Sequence, residues 1–266
     1  MWLSEDAPIH KQDLVLSKPF VNSAGTLGFA PDPHAMPFLL HLGAFITHPI
    51  SRRPRQPVGN RGCLPFPGGF LLHTGLPNPG ISRAVRRFSQ AWAGAPLPII
   101  LHLLTESPQS LAEMVRKAEG LENVRAVELG LPPDIHPQDL PDFLEAASGE
   151  LPVIICLTPD QIPALLDTLI PLQPSALHLV QPRGSLPDAD GSITSGRLYG
   201  PANFPVMLQA AQVLVDAGLP VIADGGVTET WHSQALLEVG VIAVGLGSAL
   251  WQVNPEDVFP ALVEDR

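Results

Sequence analysis

Lysine is almost missing from this chain, with Lys11, Lys18 and Lys117 the whole supply in 266 residues. None falls at the end of an expected strand, which excludes the Schiff-base chemistry of a buried, desolvated lysine. Cysteine is scarcer still: Cys63 and Cys156 are too few and too scattered for a disulfide framework or a cysteine-based zinc site. No apolar run approaches the roughly 18–20 residues of a membrane span, and Met1-Trp-Leu-Ser-Glu-Asp-Ala-Pro8 lacks the basic start and apolar core of a secretory leader. The expectation is a cytoplasmic protein. Positive charge is short as well. Fifteen Lys and Arg against 26 Asp and Glu give a net charge of −11, which argues against nucleic acid or an anionic membrane as the main partner. The basic cluster Arg52, Arg53, Arg55 and Arg61 runs against that balance and reads as a solvated loop. There is no internal repeat and no low-complexity linker, and the 31 prolines are spread along the chain. Residues 1–266 read as one domain.

What is present is a rhythm of short apolar runs and helical patterns. Candidate strands lie at 20–23, 44–47, 98–103, 126–129, 152–157, 176–180, 220–223 and 242–245. The helices between them carry legible caps: Ser107 before Pro108, Thr158-Pro-Asp-Gln161 as a capping box, Asn254-Pro255 opening the last helix, and stops at Gly94, Gly120 and Gly218. Such alternation means a parallel sheet, and eight repeats in about 250 residues favour closure into a (β/α)8 TIM barrel. No Gly-x-Gly-x-x-Gly opens the first helix, so a dinucleotide fold is the weaker reading. Two segments break the rhythm, 49–81 after the second strand and 181–205 after the sixth, and both read as extended loops over the catalytic face.

The most informative stretch is Pro220-Val-Ile-Ala-Asp-Gly-Gly-Val227, followed by Ile242-Ala-Val-Gly-Leu-Gly-Ser-Ala249. Each is a β-branched run that ends in glycines, and the helical pattern between them stops at Gly240. In an eight-fold barrel these are strands 7 and 8, whose following loops present bare backbone N–H groups to a phosphate.

These motifs, together with Lys18-Pro-Phe-Val-Asn-Ser-Ala-Gly25, Gly43-Ala-Phe-Ile-Thr47, Thr74-Gly-Leu-Pro-Asn-Pro-Gly80 and Gly200-Pro-Ala202, occur in the order found in dihydroorotate dehydrogenases. The chain resembles that family from about Asp13 to Trp251, and the lack of an N-terminal membrane-binding extension makes it look like the soluble branch. The resemblance implies an FMN-dependent oxidoreductase of pyrimidine biosynthesis. It implies that Ser23, Ala24 and Gly25 pack against the flavin ring, and that Gly200, Gly225, Gly226, Gly247 and Ser248 cradle its phosphate. Asp224 departs from the usual residue and would accept a hydrogen bond from a ribityl hydroxyl. A small-molecule substrate is expected, without nucleic acid or membrane, and a homodimer is left open.

The family's catalytic residues are another matter. The lysine usual at the end of strand 2 is matched by His48, and the strand-5 lysine beside the flavin N1 by Cys156. The strand-4 signature with its asparagines and cysteine base is matched by Glu128-Leu-Gly-Leu-Pro-Pro133. The remaining substrate asparagines are matched by Leu72 and by Gln181-Pro182. His48, Glu128 and Cys156 therefore stand as the candidate catalytic residues on inward positions. For His102 and His178 the alternation leaves the facing open by one residue, with an outward position favoured; His73 belongs to the loop above. Three functions follow: a flavin oxidoreductase with altered substrate or weakened activity, a non-catalytic flavin- or phosphometabolite-binding barrel, and a metal-dependent lyase or hydrolase using His48, Glu128 and neighbouring histidines.

Overall fold

The computed structural model describes residues 13–59 and 62–251; Lys11, Arg61 and the helix start at Asn254-Pro255 lie outside them. In chain order the elements are β1 (Phe20–Asn22), β2 (Phe45–Ile46), β3 (Cys63–Phe66), β4 (Gly69–Leu72), α1 (Ile81–Ala93), β5 (Ile99–Leu104), α2 (Pro108–Glu119), β6 (Val124–Gly130) and α3 (Leu140–Ala147). They continue with β7 (Val153–Leu157), α4 (Ile162–Leu172), β8 (Ala176–Leu179), β9 (Arg183–Pro187), β10 (Ile193–Tyr199), α5 (Phe204–Asp216), β11 (Val221–Ala223), α6 (Thr230–Val239) and β12 (Ala243–Leu246).

Eight of the strands form one parallel sheet in the order β1-β12-β11-β8-β7-β6-β5-β2. A parallel bridge between Val21 and Ala44 joins its two ends. The carboxamide of Asn22 completes the seam, donating to the Ile46 carbonyl at 2.7 Å and accepting from the Ile46 amide at 2.8 Å. One buried side chain thus supplies the ladder bonds that the short β2 lacks. The sheet is the expected (β/α)8 barrel, with strand bounds within a residue or two of those read from sequence.

Local chemistry explains the helix positions. At the start of α2, the Ser107 hydroxyl accepts the Ser110 amide at 3.2 Å, with Pro108 at the first helical position, where no N–H is needed. α6 stops at Gly240, whose φ of +105° is a left-handed turn that favours glycine. Trp92 of α1 is fully buried against the barrel, its indole N–H donating to the Phe29 carbonyl at 2.8 Å. The belt between strands and helices is continuous and apolar.

The barrel interior is layered. Val21, Ala243, Ile222, Ala176, Ile154, Ala126, Ile100 and Ala44 with Ile46 form a separate buried cluster inside the ring of strands. Taken around the sheet, large and small side chains alternate strand by strand, which fills a narrow barrel without a void. Each Ile here is buried to within 1% of complete, worth about 1.5–3 kcal/mol of transfer free energy apiece. Two residues further along the strands, one pleat repeat higher on the same face, this apolar layer gives way to a polar one.

The segments 49–81 and 181–205 are not plain loops. They hold β3, β4, β9 and β10, which pair as one antiparallel sheet in the order β3-β4-β10-β9. Each hairpin turns on a glycine of positive φ, Gly68 at +92° and Gly191 at +81°. The two hairpins are joined by β4 against β10, with Phe70 opposite Tyr199 and their rings stacked at 5.3 Å. Trp251 packs on Tyr199 and donates to the Thr26 carbonyl at 3.0 Å, tying this small sheet to the loop after β1. The chain enters the small sheet from the C-terminal ends of β2 and β8, so it stands on the face where barrel enzymes keep their sites. The cluster Arg52, Arg53 and Arg55 is exposed, and Arg52 is bonded to Glu113 at 2.7 Å on the surface.

Candidate active site

The polar layer is assembled from one residue per strand at the C-terminal ends: Ser23, His48, His102, Glu128, Cys156, His178, Asp224 and the bare Gly245. In-register pairing places His102 beside Glu128 and Cys156 beside His178. Each of these residues follows an apolar-layer residue of its own strand by two positions, as Glu128 follows Ala126 and His178 follows Ala176. The outward position favoured for His102 and His178 is therefore corrected. Both rings turn into the barrel and bond Glu128; their facing is not legible in the sequence because strands covered on both faces carry no alternation.

Glu128 is completely buried. Its Oε2 accepts from His102 Nδ1 at 2.7 Å, and its Oε1 accepts from Nδ1 of the equally buried His178 across β7. Burial by itself would raise the carboxyl's pKa, but the charges and N–H bonds of the two imidazoles outweigh it and hold Glu128 well below the usual carboxylate range. The same pairing acts on His178. Burial disfavours its imidazolium, yet Glu128 more than compensates and raises its pKa above the ordinary imidazole value. His178 Nε2 is left buried without a partner, on the side of the ring facing Gly245, where an added Cβ would lie 3.0 Å from it.

Asp224 anchors the other half of the layer. It accepts from the Ser23 hydroxyl, from Gln181 Nε2 at 2.5 Å and from the Gly225 amide at 2.5 Å. Three donors favour its ionised form, but burial exceeds them and keeps its pKa above the usual carboxylate value. The layer thus holds two carboxyls whose environments drive their proton affinities apart, a pattern common where acid and base roles are divided.

His48 and Cys156 stand differently from Glu128. His48 lies at the mouth, its ring 5.1 Å from Phe29, its Nδ1 buried without a partner. Burial, with the charge of His102 added, lowers its pKa, so the ring is neutral at pH 7. Glu128 bonds His102 and His178 and has no bond to His48. Burial and the charge of Glu128 push the Cys156 thiol up to about 12, so it carries no thiolate at neutral pH. Ligand atoms of His102, Glu128 and Cys156 lie within 4.8 Å of one another, a spacing that suits a metal ion. Both Glu128 oxygens are already occupied by ring nitrogens, and a cation would have to displace one.

Above Asp224 lie the glycine loops after β11 and β12. Gly225 and Gly226 have φ of +107° and +76°. A Cβ on Gly247 would come within 2.7 Å of Gln181 Nε2 and 3.2 Å of Asp224 Oδ1, so any side chain there would fill the space over the layer. Among the described residues, the amides of Gly226, Val227, Gly247 and Ser248 find no protein acceptor. Backbone N–H groups left bare beside glycine fit a phosphate. Gly200 belongs to the rim, its own conformation positive at φ +136° where it meets the β3–β4 turn. Ala24 and Gly25 continue the strand-1 turn directly below His48, whose Cε1 would lie 4.0 Å from a Cβ on Gly25.

The small sheet adds what the sequence reading missed. Arg183 and Arg197 face each other across β9 and β10, and Arg197 Nη1 donates to the Gln181 carbonyl at 2.9 Å, at the exit of β8. Neither arginine stands out in the sequence, because the segment 181–205 reads there as an extended loop and the hairpin that pairs them is not evident. Asp190-Gly191, a common hairpin turn pair, was the available signal.

A closed parallel barrel with a polar layer at its C-terminal mouth and glycine loops after its last two strands has the architecture in which TIM barrels carry their sites. Comparison with known proteins narrows the class. No family model matches the chain. Sequence comparison finds the catalytic subunit of dihydroorotate dehydrogenase B (NAD(+)) of Maridesulfovibrio salexigens, 25% identical over 96% of this chain and 90% of that protein. The same subunit from Desulforudis audaxviator is 26% identical over 91% of this chain and 85% of that one. Among solved structures, DHODH from Eimeria tenella, in complex with ferulenol, superposes with a TM-score of 0.68 at 13% identity over 92% of this chain and 80% of that one. The tryptophan synthase A-subunit of Pyrococcus furiosus superposes with a TM-score of 0.55 at 16% identity over 94% of this chain and 98% of that one, a likeness of fold alone. The chain is similar to dihydroorotate dehydrogenases in sequence and in fold along nearly its whole length, as a divergent relative.

Proposed function

We propose that this chain is an FMN-dependent oxidoreductase of the dihydroorotate dehydrogenase type whose substrate is not dihydroorotate. The observation that carries the reading is the His102–Glu128–His178 system beneath the glycine loops. Where the resemblance implies lysines and asparagines, this chain holds a different acid–base set, in which both Glu128 oxygens are bonded and His178 Nε2 is left free. A relic would have little reason to keep a buried charge that its two partners must compensate.

FMN, when bound, would supply a two-electron acceptor for a substrate hydride. The amides of Gly226, Val227, Gly247 and Ser248 would hold its phosphate, Ser23, Ala24 and Gly25 would line the place of its ring, and Asp224 keeps one acceptor position on Oδ1 for a polyol hydroxyl. The second hydrogen leaves the substrate as a proton, and His178 Nε2 takes it when the ring is neutral. Glu128 fixes the tautomer and orientation of His178 through Nδ1, as the carboxylate does in other histidine bases. Cys156 stays a thiol throughout. The neutral His48 offers a hydrogen bond at the mouth without a charge.

The non-catalytic reading is favoured by one feature, the replacement of every catalytic residue that the resemblance implies. Loss of a charged donor at the flavin's developing negative charge costs about 3–4 kcal/mol of transition-state stabilisation. The metal reading rests on the His102, Glu128 and Cys156 spacing and would need Glu128 released from a histidine.

The test is an FMN fluorescence titration of the wild type and Ser248→Asp. Gly226→Asp is confounded, because a Cβ there meets the Phe204 amide nitrogen at 2.6 Å and would disturb α5. Ser248 is only half-buried and leaves the fold alone. The wild type binds FMN, and the added carboxylate weakens binding at least about tenfold, or 1.4 kcal/mol. Dihydroorotate does not reduce the bound flavin at about 1 s⁻¹ or faster, the low end of ordinary turnover. A wild type that binds no FMN, or that turns over dihydroorotate at such a rate, refutes the proposal.

A further inference from the structure

We propose that Arg183 and Arg197 of the small antiparallel sheet form an anion subsite over the barrel mouth, and that it takes the carboxylate of a small organic acid. This rests on the oxidoreductase reading for the word substrate, but the subsite itself stands on geometry. The two residues are direct cross-strand partners on one face of the β9–β10 hairpin. Like charges directly opposite one another on a sheet face repel. Here both side chains are partly buried, which makes the repulsion harder to screen.

Among the described residues neither arginine forms a salt bridge, and the one bond recorded is from Arg197 Nη1 to the Gln181 carbonyl at 2.9 Å. Asp134 and Asp160 act on Arg183 only at longer range, while burial and the facing Arg197 press its pKa below the usual guanidinium value. Two guanidinium forks paired on one face, neither in a salt bridge with a carboxylate of the protein, suit bidentate capture of a planar carboxylate.

The location gives the pair a role in the reaction. Gln181 joins it to the polar layer, its carbonyl held by Arg197 and its side chain donating to Asp224. Below lie Glu128 and Asp224, in a protein whose net charge is −11. An acidic substrate would be repelled from such a mouth unless a local positive pair met it. The pair would hold the substrate's charged end away from the two carboxyls and leave its reacting carbon above His178. The phosphate of a cofactor has its own place in the glycine loops, which is why a carboxylate is assigned here.

Calorimetric titration tests this, with acetate, succinate, benzoate and inorganic phosphate as probes and succinamide and benzamide as neutral controls, with and without saturating FMN. At least one carboxylate binds the wild type while its amide does not. Arg183→Gln and Arg197→Gln each weaken that binding about tenfold or more, and Arg197→Lys restores part of it. The Arg183 side chain makes no hydrogen bond to the backbone, so its variant keeps the fold even if Arg197→Gln loosens the Gln181 turn; circular dichroism checks both. Carboxylates that bind no better than amides, or that bind Arg183→Gln and Arg197→Lys as tightly as the wild type, overturn the subsite. Preference for phosphate over every carboxylate overturns the substrate class. Flavin binding read in parallel separates the two ideas: carboxylate capture without flavin binding leaves the subsite intact and removes the oxidoreductase reading.

Discussion

The lower and upper halves of the barrel interior are built on the same strands, two residues apart, and follow opposite rules. Below, Val21 and alternating Ile and Ala side chains fill the ring. Above, carboxyls, imidazoles and a thiol occupy the same inward face, and each charge is met by a specific partner. The lower layer closes the barrel by packing, which tolerates any sequence of the right volumes. The upper layer contributes less to stability than an apolar layer would, since desolvating its charges consumes most of what their pairing returns. Its residues are explained by chemistry rather than by folding.

The sharpest way to separate the layers is to delete one group from each. Glu128→Ala leaves His178 buried beside Asp224 without its counter-charge, and should cost about 3–5 kcal/mol in urea unfolding at pH 6. The sign of its pH dependence follows from the raised pKa of His178. Stability from protonating that ring is fully present below the ordinary imidazole value and fades as pH rises through the elevated one. The penalty of Glu128→Ala is therefore smaller at pH 8.5 than at pH 6. Ile222→Ala in the lower layer should cost about 2–4 kcal/mol for lost transfer and cavity, with no pH dependence and with ligand binding kept. Equal pH profiles for the two variants would erase the distinction.

A smaller effect sharpens the same contrast. Iodoacetamide at pH 8 should alkylate the exposed Cys63 and leave Cys156 untouched, because burial and Glu128 push that thiol to about 12. Mass spectrometry of the native protein should show one adduct. Two adducts would mean that the upper layer is open to solvent and its thiol ordinary.

Most of the barrel was legible in the sequence, and the reason is local. Strands ending in glycine, and helices opened by Ser107-Pro108 and Thr158-Pro159, carry their boundaries within a few residues. The lid sheet was not legible, because β4 and β10 meet across Phe70 and Tyr199, far apart in the chain, and their residues include Gly, Ser and Arg with no long apolar run. The candidate site was half visible. Family motifs pointed to Glu128, Cys156 and His48 as inward, but the bonds of Glu128 to His102 and His178 were hidden by strands buried on both faces. The alternating Ala and Ile two positions earlier held the missing information, since a residue that follows Ala126, Ala176 or Ile222 by two must share its face.

The claim that Glu128 governs the charge of the upper layer is tested most directly by NMR titration of the histidine rings in the wild type and in Glu128→Gln. In the wild type, the His178 midpoint should lie above the ordinary imidazole value. In Glu128→Gln, which keeps shape but removes charge, burial should win and carry the midpoint below that value. A His178 midpoint that does not move between the two proteins would contradict the account.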